Sequence, residues 1–559
     1  MNAWSRVALT PPCFARPLTT AAGGKMSTTD DSDAGLSAEN DRVDPTAADP
    51  TPGDDVEQPV DQDRGIVATT AKAKTAVVVV HGMGSQKPRE TVNGFIQTAL
   101  KKFAGGRIYY SRPDKITGSY EARRLVAIER KAKGAVVQTQ TEFFEYHWSY
   151  MMTGNKIRDL LPTSLRLLLR SPLRLPWQLW IPWGVLAALA FVLAWKIVDL
   201  ALDGTLKKFG VNDIIDAVFP DARVAAVVAL VVFALIGWLT SSFVDVVRYL
   251  DTSPRSYAVR RAIRKGMVDL LTNLHADDEY IRVIVVAHSL GGYIAYDGLT
   301  TFWDQTDRKK DDPAVAFTRL ADLQTAAQAL VNDTPADPGD KDGIDSRDTE
   351  PPEQHGSDPQ DAEPTKDDYG PRDRNIIAFR AAQYELWQQM RSSEINWRVT
   401  DFITLGTPMY MANMLLTIND KQFNELRKRS ELAQCPPRSD SETVEGKTPK
   451  TLMYGRREGG KVKRRLVTGS PFAVVRWSNY WFNPVLGLFG DPFGGSLAEL
   501  FGAGIDNRAV TVNRFGRYVP LWAHTKYFKY PDCCGPDFVA PVIRTALALD
   551  LQPSLPEAQ

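Results

Sequence analysis

The ten residues VIVVAHSLGG, Val283 to Gly292, carry the strongest structural signal in the chain, and apolar residues at helical spacing follow from Tyr293 to Leu299. The continuous β-branched run predicts a strand buried on both faces, and the spacing after it predicts a helix. A serine on a sharp turn between strand and helix is the pattern of a nucleophile elbow, which needs small residues two before and two after the serine. Ala287 and Gly291 meet this need, although glycine is usual at both places. Ser289 is therefore the candidate nucleophile.

A second buried strand is predicted at Thr75 to Val80, where four consecutive valines precede a His-Gly dipeptide. A nucleophile elbow works with an oxyanion hole, built from the backbone N–H after the nucleophile and a second N–H from the loop after an earlier strand. Leu290 supplies the first donor, and the loop that begins with His81 and Gly82 offers Met83 as the second. A lone His-Gly pair is more often an ordinary turn, but its pairing with the elbow favours an oxyanion loop.

The base that activates Ser289 is expected to follow it in the chain, with the acid between the two. The sequence holds six histidines. His355 falls in a polar insertion, and four others precede or adjoin the serine: His81, His147, His275 and His288, the last belonging to the elbow itself. His524 is the remaining histidine, and it is therefore the candidate base.

The candidate acid is Asp491, which follows a strand predicted at Pro471 to Trp477 and lies 33 residues before His524. A carboxylate on a loop beyond a strand end is where a triad needs its acid. Asp401 is the main rival, but it falls at the start of its strand. Asp532 comes after the histidine, so the chain order disfavours it.

The rest of the chain alternates between strands and helices, which predicts a mostly parallel sheet with helices on both faces. The predicted helices are Thr91 to Phe103, Ser256 to Leu274, Ala314 to Leu330, Asn375 to Met390 and Pro541 to Leu549, and the further strands are Leu125 to Glu129, Val136 to Tyr146, Val399 to Leu405 and Ala509 to Asn513. The aromatic run from Glu145 to Trp148 is expected to pack in the core.

Composition excludes several classes of protein. The 67 basic residues balance 67 acidic ones, so the chain has no net field that would favour a nucleic acid partner. The four cysteines form neither a disulfide framework nor zinc-type pairs, which favours a reducing compartment. No cofactor motif and no metal-ligand spacing is visible.

Two uncharged segments, Leu175 to Trp195 and Val224 to Val244, are each 21 residues long. At about 1.5 Å per residue, this length matches a hydrocarbon core of about 30 Å. Tryptophans near both ends of the first segment resemble interfacial anchors. The segments are therefore predicted to form a transmembrane hairpin within an insertion at 151–250. Two buried helices of a large soluble core are the alternative.

Basic residues flank this hairpin on both sides and predict its orientation. Those before it are Arg158, Arg166, Arg170 and Arg174, and those after it are Arg248, Arg255, Arg260, Arg261, Arg264 and Lys265. The positive-inside rule places both flanks, and with them the candidate site, in the cytoplasm. Because the loop at His81 and the elbow at Ser289 must share one compartment, the chain between them has to cross the bilayer an even number of times. Two spans satisfy this.

Three polar stretches interrupt the ordered sequence. Residues 1–70 and 304–374 are rich in Asp, Pro, Thr and Gly, and a further polar stretch covers about 427–464. Segments with so few large apolar side chains cannot offset the loss of chain entropy, so the first two are predicted to be disordered. The remaining parts, 71–150, 251–303 and 375–550, are predicted to assemble into one domain around the hairpin.

Taken together, Val79 to Gly84, Ala287 to Gly292, Thr404 to Pro408, Asp491 and His524 resemble the lipase and esterase branch of the α/β-hydrolase superfamily. The chain is also similar to the membrane-anchored GPI inositol-deacylases. The resemblance covers the ordered parts of about 75–150, 255–303 and 375–550, and it accounts for neither the hairpin nor the polar insertions. It implies an α/β-hydrolase fold and ester cleavage through an acyl-enzyme, without a cofactor.

In the implied chemistry, Ser289 attacks, His524 relays the proton and Asp491 holds the imidazole. A membrane-anchored hydrolase acting on a lipid or other apolar ester is the leading hypothesis. A catalytically inactive scaffold or binding protein on the same fold is the alternative, because fold does not imply function. A channel has little support, since neither span contains an ionisable residue. Acyltransferase and thioesterase chemistry would use the same triad, and the substrate and the oligomeric state stay open.

Overall fold

Two central strands, β1 (Lys74–Val80) and β5 (Tyr280–His288), are buried on both of their faces. In the computed structural model, Val78 and Val80 belong to one hydrophobic cluster, whereas Val77 and Val79 belong to a second. Successive side chains of a strand point to opposite faces, so each face of the sheet has its own core. The predicted doubly buried strands are confirmed.

The structure describes a defined part of the chain, and all of it lies in one unit, Thr69–Gln559. The described residues are 74–84, 86–99, 108–113, 116, 123–128, 140–152, 180, 183–184, 187–188, 245–251, 254–306, 318–332, 371–437, 453–458, 461–466, 471–484, 490–511, 523–528 and 539–549.

The strands and the helices, each numbered in chain order, have the following bounds. The other strands are β2 Ile108–Pro113, β3 Arg123–Ile128, β4 Gln140–Tyr146, β6 Val399–Leu405, β7 Met453–Glu458, β8 Lys461–Leu466, β9 Arg476–Phe482 and β10 Asp506–Val510. The helices are α1 Glu90–Ala99, α2 Pro254–Ala276, α3 Gly291–Gln305, α4 Leu320–Asn332, α5 Pro371–Ser392, α6 Ala412–Leu415, α7 Asp420–Lys428, α8 Pro471–Val474, α9 Ala498–Phe501 and α10 Val539–Leu547. Short 3-10 turns occur at Ser149–Met151, Pro408–Met411 and Ala523–Thr525.

The main sheet has the strand order β10-β9-β6-β5-β1-β4-β3-β2. The six strands from β10 to β4 are parallel, and β3 and β2 continue the sheet antiparallel at one edge. Residues of α2, α3 and α5 pack in one cluster, and residues of α1 and α10 pack in the other. The chain therefore has an α/β fold with helices on both faces of a mostly parallel sheet, as predicted.

The strand order also indicates where a ligand would be expected to bind. From β1 the chain builds one side of the sheet as far as β4, and it then returns to place β5 on the other side of β1. In open parallel sheets, ligands bind beyond the carboxyl ends of the strands where the order reverses in this way. The loops that follow β1 and β5 both leave the sheet at this point.

Some sequence predictions need correction. The predicted strand at Pro471 to Trp477 is wrong in its first part, because 471–474 is the short helix α8 and the strand starts at Arg476. A short apolar run does not distinguish a strand from a buried helical turn. The polar stretch at 427–464 contains most of a two-stranded hairpin, β7-β8, whose strands read as charged surface in the sequence. The strand predicted at Ala509 to Asn513 begins earlier, at Asp506, and 512–513 lie outside the described residues.

Much of the predicted membrane insertion lies outside the described residues. This holds for the spans at 175–195 and 224–244, apart from five positions in the first of them, 180, 183–184 and 187–188. Within the described part of the chain, no helix has the length and apolar character to cross a membrane. Residues 1–70 and most of 304–374, predicted to be disordered, also fall outside it.

At the amino end of β6, Asp401 is buried between two arginines. Arg282 Nη2 lies 2.6 Å from Asp401 Oδ2, and Arg476 Nη2 lies 2.8 Å from Oδ1. Burial alone would raise the pKa of Asp401, but Arg476 and Arg282 hold it below its ordinary range. The Arg282 guanidinium also donates to the carbonyl of Ala548, which ties α10 to the sheet.

We expect Arg282→Met to lower the free energy of unfolding by about 3 to 5 kcal/mol, because it removes one partner of a buried carboxylate. Urea unfolding in detergent measures this. Arg508→Met is the matched control, since Arg508 is largely exposed where it pairs with Asp506 and such a pair contributes less than about 1 kcal/mol. Equal losses in the two variants would contradict the structural role of the buried network.

Candidate active site

Ser289 occupies a strained turn between β5 and α3. Its φ of 54° lies in the left-handed region that residues other than glycine rarely adopt. Its N–H donates to the carbonyl of Leu405 at the end of β6, and its own carbonyl accepts from Gly292 N–H at 3.0 Å. The backbone therefore has the sharp strand-to-helix turn that the sequence predicted for the elbow.

The glycines of the elbow allow close contact between backbones. A Cβ on Gly291 would lie 2.6 Å from the carbonyl oxygen of Val80 and 2.7 Å from that of His81. A Cβ on Gly82 would lie 2.9 Å from the Ser289 Cβ. These distances are too short for any side chain, so the elbow and the loop after β1 are packed directly against each other. Ala287 keeps its methyl group within the core, which explains why glycine is not needed there.

The structure brings Ser289, His524 and Asp491 into one line of hydrogen bonds. His524 Nε2 is 2.9 Å from Ser289 Oγ, and His524 Nδ1 is 2.8 Å from Asp491 Oδ1. Because a carboxylate only accepts, Nδ1 carries the proton and Nε2 is left to accept from the serine hydroxyl. All three side chains are buried. The arrangement has the geometry of a nucleophile, a base and an orienting acid.

Asp491 has two further donors that fix its carboxylate. Phe493 N–H donates to Oδ1 at 2.9 Å, and the Tyr527 hydroxyl donates to Oδ2 at 2.6 Å. The same hydroxyl accepts from Phe482 N–H at 2.9 Å, which leaves its proton for Asp491. Sequence reasoning missed Tyr527, because no motif marks the side chain that reaches the acid. The two oxygens of Asp491 are thus held in one orientation toward the imidazole.

His288 supports the backbone of the segment that carries His524. Its Nε2 lies 2.9 Å from the carbonyl oxygen of His524, so that nitrogen carries a proton and donates to the carbonyl. Burial, followed by the nearby His524, lowers the pKa of His288 to about 3, which keeps it neutral. The side chain therefore steadies the 3-10 turn that carries His524 and adds no charge beside the site.

The loop after β1 is held by His81, which is fully buried and stacks on Trp148 with ring centroids 4.9 Å apart. Trp148 N–H donates to His81 Nε2 at 3.2 Å, so Nδ1 carries the proton and donates to Gly82 O at 2.9 Å. Burial lowers the pKa of His81 to about 3, and the ring is neutral. Gly82 C=O and Met83 N–H belong to one planar peptide unit and point in opposite directions. Fixing the carbonyl therefore fixes the direction of the Met83 N–H.

The other aspartates and histidines weighed from the sequence are not part of this hydrogen-bonded line where the structure describes them. Asp401 sits at the opposite end of the sheet in its arginine network. His147 is bound to the carbonyl of Gln86, and His275 is bound between Leu271 and Arg398. Asp532 and His355 lie outside the described residues. In the described part of the chain, no group of three or more His, Cys, Asp or Glu side chains is placed to hold a metal ion.

Comparison with known proteins adds no relative. No protein-family model, curated protein or solved structure matches this chain.

Proposed function

We propose that the chain is a membrane-anchored serine hydrolase of the α/β-hydrolase superfamily, lipase-like or esterase-like, that cleaves an ester of a lipid or apolar substrate. One observation carries the proposal. Asp491, His524 and Ser289 form a continuous hydrogen-bonded chain, with separations of 2.8 and 2.9 Å, at the carboxyl edge of the sheet. The strained backbone of Ser289 supports the same reading, since strain of this kind clusters at active sites.

In the proposed acylation step, Ser289 Oγ attacks the ester carbonyl while His524 Nε2 accepts the hydroxyl proton. The imidazolium that forms is stabilised by Asp491. The carbonyl oxygen becomes an oxyanion, which accepts hydrogen bonds from the N–H groups of Leu290 and Met83. The C–O bond of the ester then breaks, the alcohol takes the proton from Nε2, and the acyl group stays on Oγ.

Deacylation repeats these steps with water. Nε2 of His524 accepts a proton from water as the water oxygen attacks the acyl carbonyl, and the same two N–H groups hold the second oxyanion. The bond to Ser289 Oγ breaks, the serine regains its proton from Nε2 and the carboxylic acid leaves. The cycle uses only side chains and backbone groups of this chain and needs no cofactor.

Anchoring through the hairpin at 175–195 and 224–244, with the catalytic domain on the cytoplasmic side, is part of the proposal. Exposed aromatic side chains near both ends of the insertion support it. Tyr150 is 64% exposed and Tyr257 is 55% exposed, and aromatic residues of this kind concentrate at membrane interfaces.

The test is hydrolysis of p-nitrophenyl esters, from acetate to palmitate, by the detergent-solubilised full chain. We expect turnover that increases with acyl length up to a medium or long chain, because the site adjoins apolar side chains and a membrane. A folded protein that turns over none of the esters would contradict the proposal and favour the inactive scaffold. Equal turnover of the matching p-nitroanilides, the amide analogues of these esters, would contradict a specificity for esters.

A further inference from the structure

A buried aspartate from the far end of the insertion contacts the loop after β1. Gly84 N–H donates to Asp245 Oδ2 at 3.1 Å, although the two residues are 161 positions apart. Asp245 is only 4% exposed and opens the helical segment 245–250. It immediately follows the second span predicted from the sequence, 224–244. A buried carboxylate needs such a donor, because desolvation penalises the ion.

This contact completes the fixation of Met83. The peptide unit before Met83 contains the Gly82 carbonyl, which His81 holds through Nδ1. The unit after Met83 contains the Gly84 N–H, which Asp245 holds. Gly84 has a φ of 87°, a left-handed conformation that suits glycine, and no atom lies within 4 Å of a Cβ built there. His81 therefore holds the peptide plane before Met83, where Gly82 is also tightly packed, and Asp245 holds the plane after Met83, where the space around Gly84 is open.

The two ends of the insertion meet at this loop. At the entry, Trp148 Nε1 donates to the carbonyl of His81 at 2.9 Å. At the exit, Asp245 accepts from Gly84. The residues between these two ends include the whole predicted hairpin. The loop that offers the Met83 N–H is thus bound at its start by the chain that leads into the insertion and at its end by the chain that leads out.

We propose that Asp245 is a positioning residue for the oxyanion hole, acting through Gly84 on Met83. This inference rests on the proposed function. An oxyanion donor stabilises the transition state only if it is already oriented when the charge develops. Without the carboxylate, the Met83-Gly84 peptide rotates more freely, and the Met83 N–H is then held only from the side of His81 and Gly82. The expected cost falls on kcat, because the oxyanion forms only in the transition state.

The test compares Asp245→Leu and Asp245→Asn in the solubilised full chain, with p-nitrophenyl butyrate as the probe. Removing one oxyanion donor lowers kcat by roughly 100- to 1000-fold, and loosening a donor costs less. We expect Asp245→Leu to lower kcat by about 10- to 100-fold, with KM changed by less than about twofold. Asp245→Asn keeps a carbonyl oxygen for Gly84 N–H and should recover most of kcat. Asp251→Leu, six residues further along and exposed, is the control and should retain wild-type kinetics.

Wild-type kcat in a folded Asp245→Leu variant would overturn the inference, and so would an Asp245→Asn variant as impaired as the leucine variant. If thermal melting shows that Asp245→Leu does not fold, Asp245→Ser replaces it, because serine is polar but one atom too short to reach Gly84. A folded serine variant with wild-type kcat would equally overturn the inference. Wild-type protein without ester turnover would instead contradict the proposed function, so the two failures are distinguishable.

Discussion

Replacing Ser289 by alanine is expected to lower kcat for ester hydrolysis by roughly 10⁴- to 10⁶-fold. The variant loses the hydroxyl oxygen that lies 2.9 Å from His524 Nε2 in the line from Asp491, so no acyl-enzyme forms. Binding of the ester should persist, because alanine removes one atom from a buried position and leaves the rest of the site in place. The measurement is steady-state turnover of p-nitrophenyl butyrate by the purified variant.

Ser149→Ala is the matched control for this prediction. Ser149 Oγ also lies near a histidine, His147 Nε2, but at 3.4 Å, and that nitrogen is 2.9 Å from the carbonyl of Gln86. We therefore expect wild-type kcat from Ser149→Ala. If Ser289→Ala keeps more than about a tenth of wild-type activity, or Ser149→Ala loses it, the nucleophile has been wrongly assigned.

The second large effect is expected from Asp491→Asn, which should lower kcat by about 10⁴-fold while leaving the fold intact. The asparagine amide can donate to Nδ1 of His524 in place of the carboxylate. In that state the proton of the neutral imidazole resides on Nε2, which then no longer accepts from Ser289. The Tyr527 hydroxyl can still donate to the amide oxygen, but Phe493 N–H loses its acceptor at the Oδ1 position, so the free energy of unfolding should fall by about 1 to 3 kcal/mol. Turnover of the same ester, with thermal melting alongside, measures both effects.

Asp506→Asn tests whether loss of another buried, tyrosine-bound carboxylate has the same effect. Asp506 accepts from the Tyr480 hydroxyl at 3.1 Å, much as Asp491 accepts from Tyr527. Asp506 also accepts from Arg508 Nε, and within the described residues no histidine is hydrogen-bonded to it. We expect Asp506→Asn to keep wild-type kcat. Similar losses of kcat in both variants would point to a general structural effect and remove Asp491 from the proposed triad.

Local pattern was sufficient to predict the central strands. The valine run of β1 and the run before Ser289 in β5 are both buried on two faces. Such runs indicate a buried strand because β-branched residues suit a parallel sheet. Chain order then restricts how the strands pair. That the loops after β1 and β5 would meet was predicted because an oxyanion loop and a nucleophile elbow must share one active site. The direct contact between Gly82 and Ser289 is the structural counterpart of that expectation.

The residues that support the site were beyond sequence reasoning. Tyr527 reaches Asp491, Trp148 reaches His81, and Asp245 reaches Gly84. Each of these contacts depends on how separate segments pack in three dimensions, and no periodicity or motif in the chain marks it. Trp148 was expected only to fill the core. It is fully buried, and it also donates two hydrogen bonds to the loop after β1.

The membrane part of the proposal adds a constraint on the catalytic part. Both ends of the insertion contact the loop that carries Met83, so the geometry of the oxyanion hole depends on the segments at Trp148 and Asp245. A chain shortened by removal of 153–244 would lose the contact at Asp245 unless the ends were rejoined in the same place. For this reason the experiments above use the full chain.

The most direct test of the central claim is labelling of the full chain with a fluorophosphonate, followed by mass spectrometry of the modified peptide. The probe reacts with a serine whose hydroxyl is activated by a base, and its phosphonyl oxygen occupies the oxyanion hole. We predict a single adduct on Ser289 in the wild-type membrane fraction and no adduct in Ser289→Ala. Absence of labelling in folded wild-type protein, or an adduct that persists in Ser289→Ala, would contradict the account.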